Sequence, residues 1–129
     1  MCGIAGIFHC GTIKPVDPQR VERMCDVLAH RGPDGAGVWT APGVGLGHRR
    51  LSIIDIAGSP QPMHSEDGRA IISFNGEIYN YRELRRELSA LGAKFATDGD
   101  TEVILAAWQQ WGEECVTRLH GMFAFAIYD

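Results

Sequence analysis

Hydrophobic positions follow two periods along the chain, and the switches between them mark out strands and helices. Residues 2–8 place Ile4 and Phe8 on one face and Ala5 and Ile7 on the other, which predicts a strand covered on both sides. Asp17 then Pro18 reads as an N-cap and a first helical residue, with Val21, Met24, Cys25 and Leu28 at helical spacing until Gly32-Pro33. Short strands are expected at 38–40, 44–48 and 51–54, with Gly43, Gly45 and Gly47 between them. Residues 70–74 predict another strand, stopping at the turn dipeptide Asn75-Gly76. Two helices follow: 81–91, through Leu84, Leu88 and Leu91 and closed by Gly92, then 101–111, ended by Gly112. The final apolar run, 122–128, predicts a strand with only Asp129 behind it. An unprotected apolar edge of that kind predicts a fragment of a longer domain that folds poorly alone.

Composition narrows this picture. The chain has 129 residues, 45% hydrophobic and 22% charged, which suits one globular domain and argues against disorder. No apolar run approaches the length of a membrane span. Twelve basic against 16 acidic residues give a net charge of −4, so neither a nucleic-acid nor a membrane partner is expected. Met1-Cys2-Gly3-Ile4 lacks the basic start of a secretory signal. Cys2, Cys10, Cys25 and Cys115 form neither a CxxC pair nor a zinc spacing, which predicts no metal site and reduced thiols in a cytoplasmic protein. Glycine, at 16 residues, is in excess and predicts tight turns or close backbone approach.

The candidate chemistry begins at Cys2. Removal of Met1 ahead of a small residue leaves a thiol and a free α-amine on one residue. Ordinary thiols titrate near about 8.5 and α-amines near about 7.7–8.0, so the amine can take the thiol proton and return it to a leaving amine. Alone this is a weak signal, since an ordinary strand-start cysteine is by far the commoner explanation of a Met-Cys start. Four further segments carry polar groups at element junctions: Arg31-Gly32-Pro33-Asp34, His48-Arg49-Arg50-Leu51-Ser52-Ile53-Ile54-Asp55, Asn75-Gly76-Glu77-Ile78-Tyr79-Asn80 and Asp98-Gly99-Asp100-Thr101-Glu102. Each has a bland reading as a helix cap, a solvated pair or a turn. Two other functions stay open on the residues alone. One is a thiol hydrolase using Cys2 or Cys10 with His30 or His48 as base; the other is a non-catalytic domain that binds amino acids or a partner chain, which retained Met1 would favour.

Together with Cys2-Gly3-Ile4-Ala5-Gly6 and the final Gly121-Met122-Phe123-Ala124-Phe125-Ala126, these segments resemble, in order and along the whole chain, the N-terminal glutaminase domain of asparagine synthetases. Pro33 favours that branch over the amidotransferases that feed sugar-phosphate and purine synthesis. An asparagine-synthetase-like branch linked to exopolysaccharide clusters, acting on another acceptor, is equally similar. The resemblance implies an α+β, four-layer αββα N-terminal-nucleophile hydrolase fold, with residues 1–129 as a type 2 glutamine amidotransferase domain truncated at its C-terminus. It also implies roles. Cys2 would be the nucleophile, with Asn75 and Gly76 as the oxyanion hole. Arg50 would clamp the glutamine α-carboxylate, Asp100 with Glu77 would hold the α-ammonium, and Leu51, Ser52, Ile53 and Ile54 would line the pocket. Arg49 is read as surface. No cofactor is implied for this domain; ATP and Mg belong to an absent C-terminal synthetase domain, which is the implied partner beside glutamine and a homodimer.

Overall fold

The computed structural model describes residues 1–51 and 59–129. The elements are β1 (Gly3–Phe8), α1 (Pro18–Val27), β2 (Gly35–Ala41), β3 (Val44–Arg50), β4 (Met63–His64), β5 (Ile71–Ile78), α2 (Tyr81–Ala90), α3 (Asp100–Trp111), a 3₁₀ helix (Gly112–Arg118) and β6 (Gly121–Tyr128). They form two antiparallel sheets, β1-β3-β2 and β4-β5-β6, stacked between α1 on one side and α2 with α3 on the other.

Glycine sets the spacing of the first two layers. Along β3, Gly45 and Gly47 face α1, while Val44 and Leu46 face the second sheet and pack on Ile71. A Cβ on Gly45 would lie 2.8 Å from Val16 Cγ1 and 2.9 Å from Val21 Cγ2, and one on Gly47 would overlap the Cys25 thiol. The buried Val21 and Cys25 therefore rest on bare backbone. The second sheet presents Ile72, Phe74 and Ile78 to Leu84, Leu88, Val103, Ile104 and Ala107, the largest buried cluster. Between the sheets the contact is polar as well as apolar: Ser73 Oγ donates to the Gly47 carbonyl at 2.9 Å, and His48 Nε2 meets the Phe74 carbonyl at 2.9 Å.

Several expectations are corrected. Asp17 does cap α1, accepting the Gln19 N–H at 3.0 Å with Pro18 next, but the helix ends at Val27, and residues 28–31 turn before Gly32. Edge strand β1 is not covered on both sides along its length: Ile4, Ala5 and Ile7 are partly buried, but Phe8 at its end is 68% exposed. β2 begins three residues earlier than its apolar pattern suggests, because Gly35 and Gly37 pair with Arg50 and His48 without adding side chains to the pattern. β5 does not stop at Asn75-Gly76. Pairing of Asn75 with Ala124 and Gly76 with Phe123 carries the strand to Ile78 and overrides the turn preference of the dipeptide. β4 and the 3₁₀ helix were not anticipated. Leu51 lies just beyond β3, and the rest of the strand expected at 51–54 lies outside the described residues. The 122–128 strand is present as β6, at a sheet edge with Met122 63% exposed. Among the described residues, no helix is long and apolar enough to cross a membrane.

The α1–β3 contact generates a stability prediction. Gly47→Ala forces a methyl into Cys25 and Val21, an overpacking that costs about 1–3 kcal/mol. Thermal denaturation should show a lowered Tm. Adding Cys25→Ala should recover part of that loss, as a non-additive term in the double-mutant cycle.

Candidate active site

Cys2 stands immediately before β1 and is half-buried. Its Sγ receives the Leu51 N–H at 3.3 Å and lies 3.6 Å from the Leu51 carbonyl. From the other side, Arg31 Nε donates to the Cys2 carbonyl at 3.2 Å. The turn after α1 and the end of β3 thus hold the N-terminal segment between them. Glycine again permits the approach, since a Cβ on Gly32 would sit 2.5 Å from the Arg49 carbonyl oxygen.

β5 supplies the opposite wall. β4 pairs only with Ile71 and Ile72, so among the described residues the rest of that edge has no backbone partner strand. Alternate residues of a strand direct their N–H and C=O groups to the same edge. Side chains supply the missing partners there. Phe74 N–H donates to Gln61 Oε1 at 2.6 Å, the Phe74 carbonyl faces His48, and Ile78 N–H donates to Asp100 Oδ2 at 3.0 Å. A carbonyl can only accept, so His48 carries its proton on Nε2. Burial pushes the His48 imidazole below its ordinary value, with Arg50 adding to the effect and the Phe74 bond opposing it.

Asn75 and Gly76 lie within this stretch. The Asn75 Oδ1 is buried with no hydrogen-bond partner among the described residues. Gly76 has φ +152°, and a Cβ there would overlap the Met122 carbonyl and sit 2.6 Å from Phe123 Cα. Glycine at 76 is thus required by the neighbouring strand β6, a reason separate from the close approach to substrate that its role in the resemblance suggests.

Asp100 is the first residue of α3, and Gly99 is the N-cap. Its reading as a cap therefore fails: the carboxylate crosses to β5 and is 7% exposed. Burial pushes this carboxyl above its ordinary range; the Ile78 N–H lowers it, and the charge of Glu77 adds to the rise. The loop ahead of it is fixed by Glu102, which accepts the Ala96 and Thr97 N–H groups, each at 2.8 Å, and by Arg85, which donates to the Thr97 carbonyl at 2.6 Å.

One cleft of about 90 Å³ gathers the residues expected from sequence. Cys2, Arg50, Leu51, Asn75, Gly76, Glu77 and Asp100 all line it. Ser52, Ile53 and Ile54 lie outside the described residues. Met1, Ser59, Gln61, Thr101 and Met122 also line the cleft and were missed. Thr101 and Met122 fall within motifs quoted above without a role of their own, and Gln61 is a lone polar residue between two prolines. Cys10 is exposed and outside the cleft. The His30 ring bonds the Val27 carbonyl at 3.1 Å, the His48 ring bonds the Phe74 carbonyl and the Cys2 sulfur meets Leu51; among the described residues no hydrogen bond joins Cys2 or Cys10 to either imidazole.

The cleft thus offers a thiol, a peptide N–H beside its sulfur, an amide, a guanidinium and a buried carboxylate. The family model described as "Glutamine amidotransferase domain" matches residues 1–129. Asparagine synthetase [glutamine-hydrolyzing] 1 of Bacillus subtilis is 47% identical over 100% of the chain, which covers 21% of that protein. Asparagine synthetase B [glutamine-hydrolyzing] of Escherichia coli is 39% identical over 100% of the chain and 23% of its own length. The chain thus spans about a fifth of the length of the curated relatives it matches. Among solved structures, glutamine phosphoribosylpyrophosphate amidotransferase from B. subtilis superposes with a TM-score of 0.79 over 99% of this chain and 35% of that one, at 21% identity. The fold is the α+β N-terminal-nucleophile architecture that the sequence resemblance implied.

The buried carboxylate has a measurable consequence. The folded-state pKa of Asp100 lies above its unfolded value, so its ionisation works against the fold. Its contribution to stability is fully present below the unfolded pKa and is lost as pH rises through the folded pKa. Asn keeps an oxygen for the Ile78 N–H without the charge, so Asp100→Asn should raise Tm at neutral pH. That gain should shrink as the pH falls toward about 3.9. A pH-independent gain in thermal melts would remove ionisation as the cause.

Proposed function

The chain belongs to the glutamine amidotransferase domain family, and on that premise we propose that, processed to begin at Cys2, it hydrolyses glutamine to glutamate and ammonia. The observation that carries this reading is the convergence on one cleft of Cys2, Arg50, Asn75, Gly76 and Asp100, from both sheets and the start of α3. The Cys2 α-amine, free once Met1 is removed, takes the thiol proton. The sulfur attacks the side-chain carbonyl carbon of glutamine. Negative charge gathers on the carbonyl oxygen, where the Asn75 side-chain NH₂ and the Gly76 N–H stabilise it. The C–N bond breaks as the ammonium returns its proton to the leaving nitrogen, and ammonia departs. Water, deprotonated by the same amine, then cleaves the thioester and releases glutamate with the thiol restored.

Selection of glutamine needs a cation and an anion a short distance apart. Arg50 offers a planar fork for the α-carboxylate, and Asp100, with Glu77 beside it, an anion for the α-ammonium. Leu51 forms the wall next to the sulfur, with Ser52, Ile53 and Ile54 assigned to the same wall. The ammonia would serve an asparagine-forming synthetase region of the kind its curated relatives' names describe. ATP and Mg are assigned to that region, since this chain contains no glycine-rich phosphate loop to hold them. Four free thiols support a reducing, cytoplasmic setting, and the expected homodimer is a matter for sedimentation of the whole protein.

Two measurements test the chemistry. A verified uncleaved N-terminal extension should abolish glutamine hydrolysis and leave the circular dichroism spectrum unchanged; full activity would rule out the N-terminal amine as base. Asn75→Ala should lower kcat by roughly 10²–10³ with a smaller effect on KM. A pure KM effect would move Asn75 from the oxyanion hole to substrate binding. Substrate selection is tested by Arg50→Lys and Asp100→Asn, which should each raise KM for glutamine more than they lower kcat. An ammonium left partly unpaired costs about 1–3 kcal/mol, or roughly 5- to 150-fold in KM.

A further inference from the structure

We propose that Gln61 is a positioning residue that holds the Asn75-bearing strand and the Asp100-bearing helix in register across the cleft; the inference rests on the glutaminase reading above. β4 ends its pairing at Ile72, and among the described residues the next N–H on that edge of β5, that of Phe74, meets no backbone partner. Gln61, just ahead of β4, replaces it with a side-chain oxygen at 2.6 Å. The other end of the same amide donates through Nε2 to Thr101 Oγ1 at 3.2 Å. Thr101 is buried in the first turn of α3, next to Asp100.

One planar amide therefore touches both walls of the cleft. The peptide it grips on one side immediately precedes Asn75 and Gly76, and the hydroxyl it grips on the other immediately follows Asp100. This bridge needs an acceptor and a donor at the tip of a three-carbon reach, which glutamine provides at any pH and an ionised glutamate does not. The first sheet makes room for it. A Cβ on Gly37 of β2 would overlap the Gln61 carbonyl oxygen, so the backbone at Gln61 lies directly on β2. The Phe74 carbonyl is held in turn by His48, so the two peptide groups that flank the Phe74 Cα are each fixed at one polar atom. Catalytic donors displaced by about 1 Å can lose about 10² in rate, so a group that fixes the backbone at Phe74 acts on turnover through the strand it holds.

The test uses the whole enzyme, processed to Cys2, with sites counted by stoichiometric alkylation of Cys2 by a glutamine-analogue electrophile. Gln61→Met keeps the volume and removes both hydrogen bonds. Its kcat per titrated site should fall about 10- to 100-fold. Gln61→Glu keeps an oxygen for the Phe74 N–H and should recover part of that loss. A lowered Tm with kcat per titrated site and KM both within threefold of wild type would make Gln61 a structural residue only and overturn the proposal. Should Gln61→Met fail to fold, Thr101→Val cuts the arm to α3 alone. It should raise KM for glutamine more than it lowers kcat, and an unchanged KM there overturns the bridge. A wild type that titrates and hydrolyses glutamine beside an unaffected Gln61→Met sinks this inference alone. A wild type that does neither sinks the glutaminase reading and this inference with it.

Discussion

The site depends on an interrupted sheet edge. β5 has eight residues, but its neighbour β4 has two, so among the described residues most of one edge of β5 meets no strand. Buried backbone donors without partners cost free energy comparable to a lost hydrogen bond, and the chain answers with side chains. Gln61 takes the N–H of Phe74 and Asp100 takes that of Ile78, while His48 meets the Phe74 carbonyl. By strand alternation the N–H of Gly76 falls between the two satisfied ones on that same edge. An oxyanion hole needs a donor fixed in place yet open to the substrate, and a truncated ladder braced on either side is one way to make it.

The same constraint decides what was legible in the sequence. Cys2, Arg50, Asn75, Gly76 and Asp100 sit in short motifs whose order and spacing identify the family, and the structure brings all five to one cleft. The long helices and the centres of the strands were readable because they bury one-sided apolar patterns. What could not be read was pairing. Asn75-Gly76 has the local chemistry of a turn, and only β6, nearly fifty residues later, keeps it extended. Gly35 and Gly37 hide the start of β2 because they carry no hydrophobicity, although Gly37 is where the backbone at Gln61 comes to rest. Gln61 itself belongs to no periodic pattern. Its importance follows from an edge left open by a strand two residues long, which no local rule predicts.

Close backbone contact also ties the nucleophile to the core. Val21 and Cys25 of α1 sit on Gly45 and Gly47, and the turn after the helix crosses the Arg49–Arg50 backbone at Gly32. Arg31, in that turn, holds the Cys2 carbonyl, and Leu51, at the end of β3, donates to the Cys2 sulfur. Both groups that fix Cys2 therefore move with one helix–strand contact. A side chain added at that contact would shift the helix, the turn and the sulfur together, so glycines distant from the chemistry carry part of its precision.

Under the proposed function, Asp100 would bring stability and activity into opposition. Its burial against β5 works against the charged form, and the neighbouring charge of Glu77 works in the same direction. A carboxylate in that position is costly to an empty site and favourable to one holding a cation. The ammonium of the proposed substrate would reverse the balance, because an opposite charge nearby stabilises the ionised form where burial had destabilised it. Binding and ionisation of Asp100 are then linked. Bound glutamine would then lower the carboxyl's pKa, and by the same thermodynamic cycle its affinity would fall as Asp100 becomes protonated. An amide that lacks the ammonium cannot gain that term. Selectivity for an amino acid over a simple amide would thus come from a charge that the empty fold holds at a cost, and not from the shape of the cleft alone.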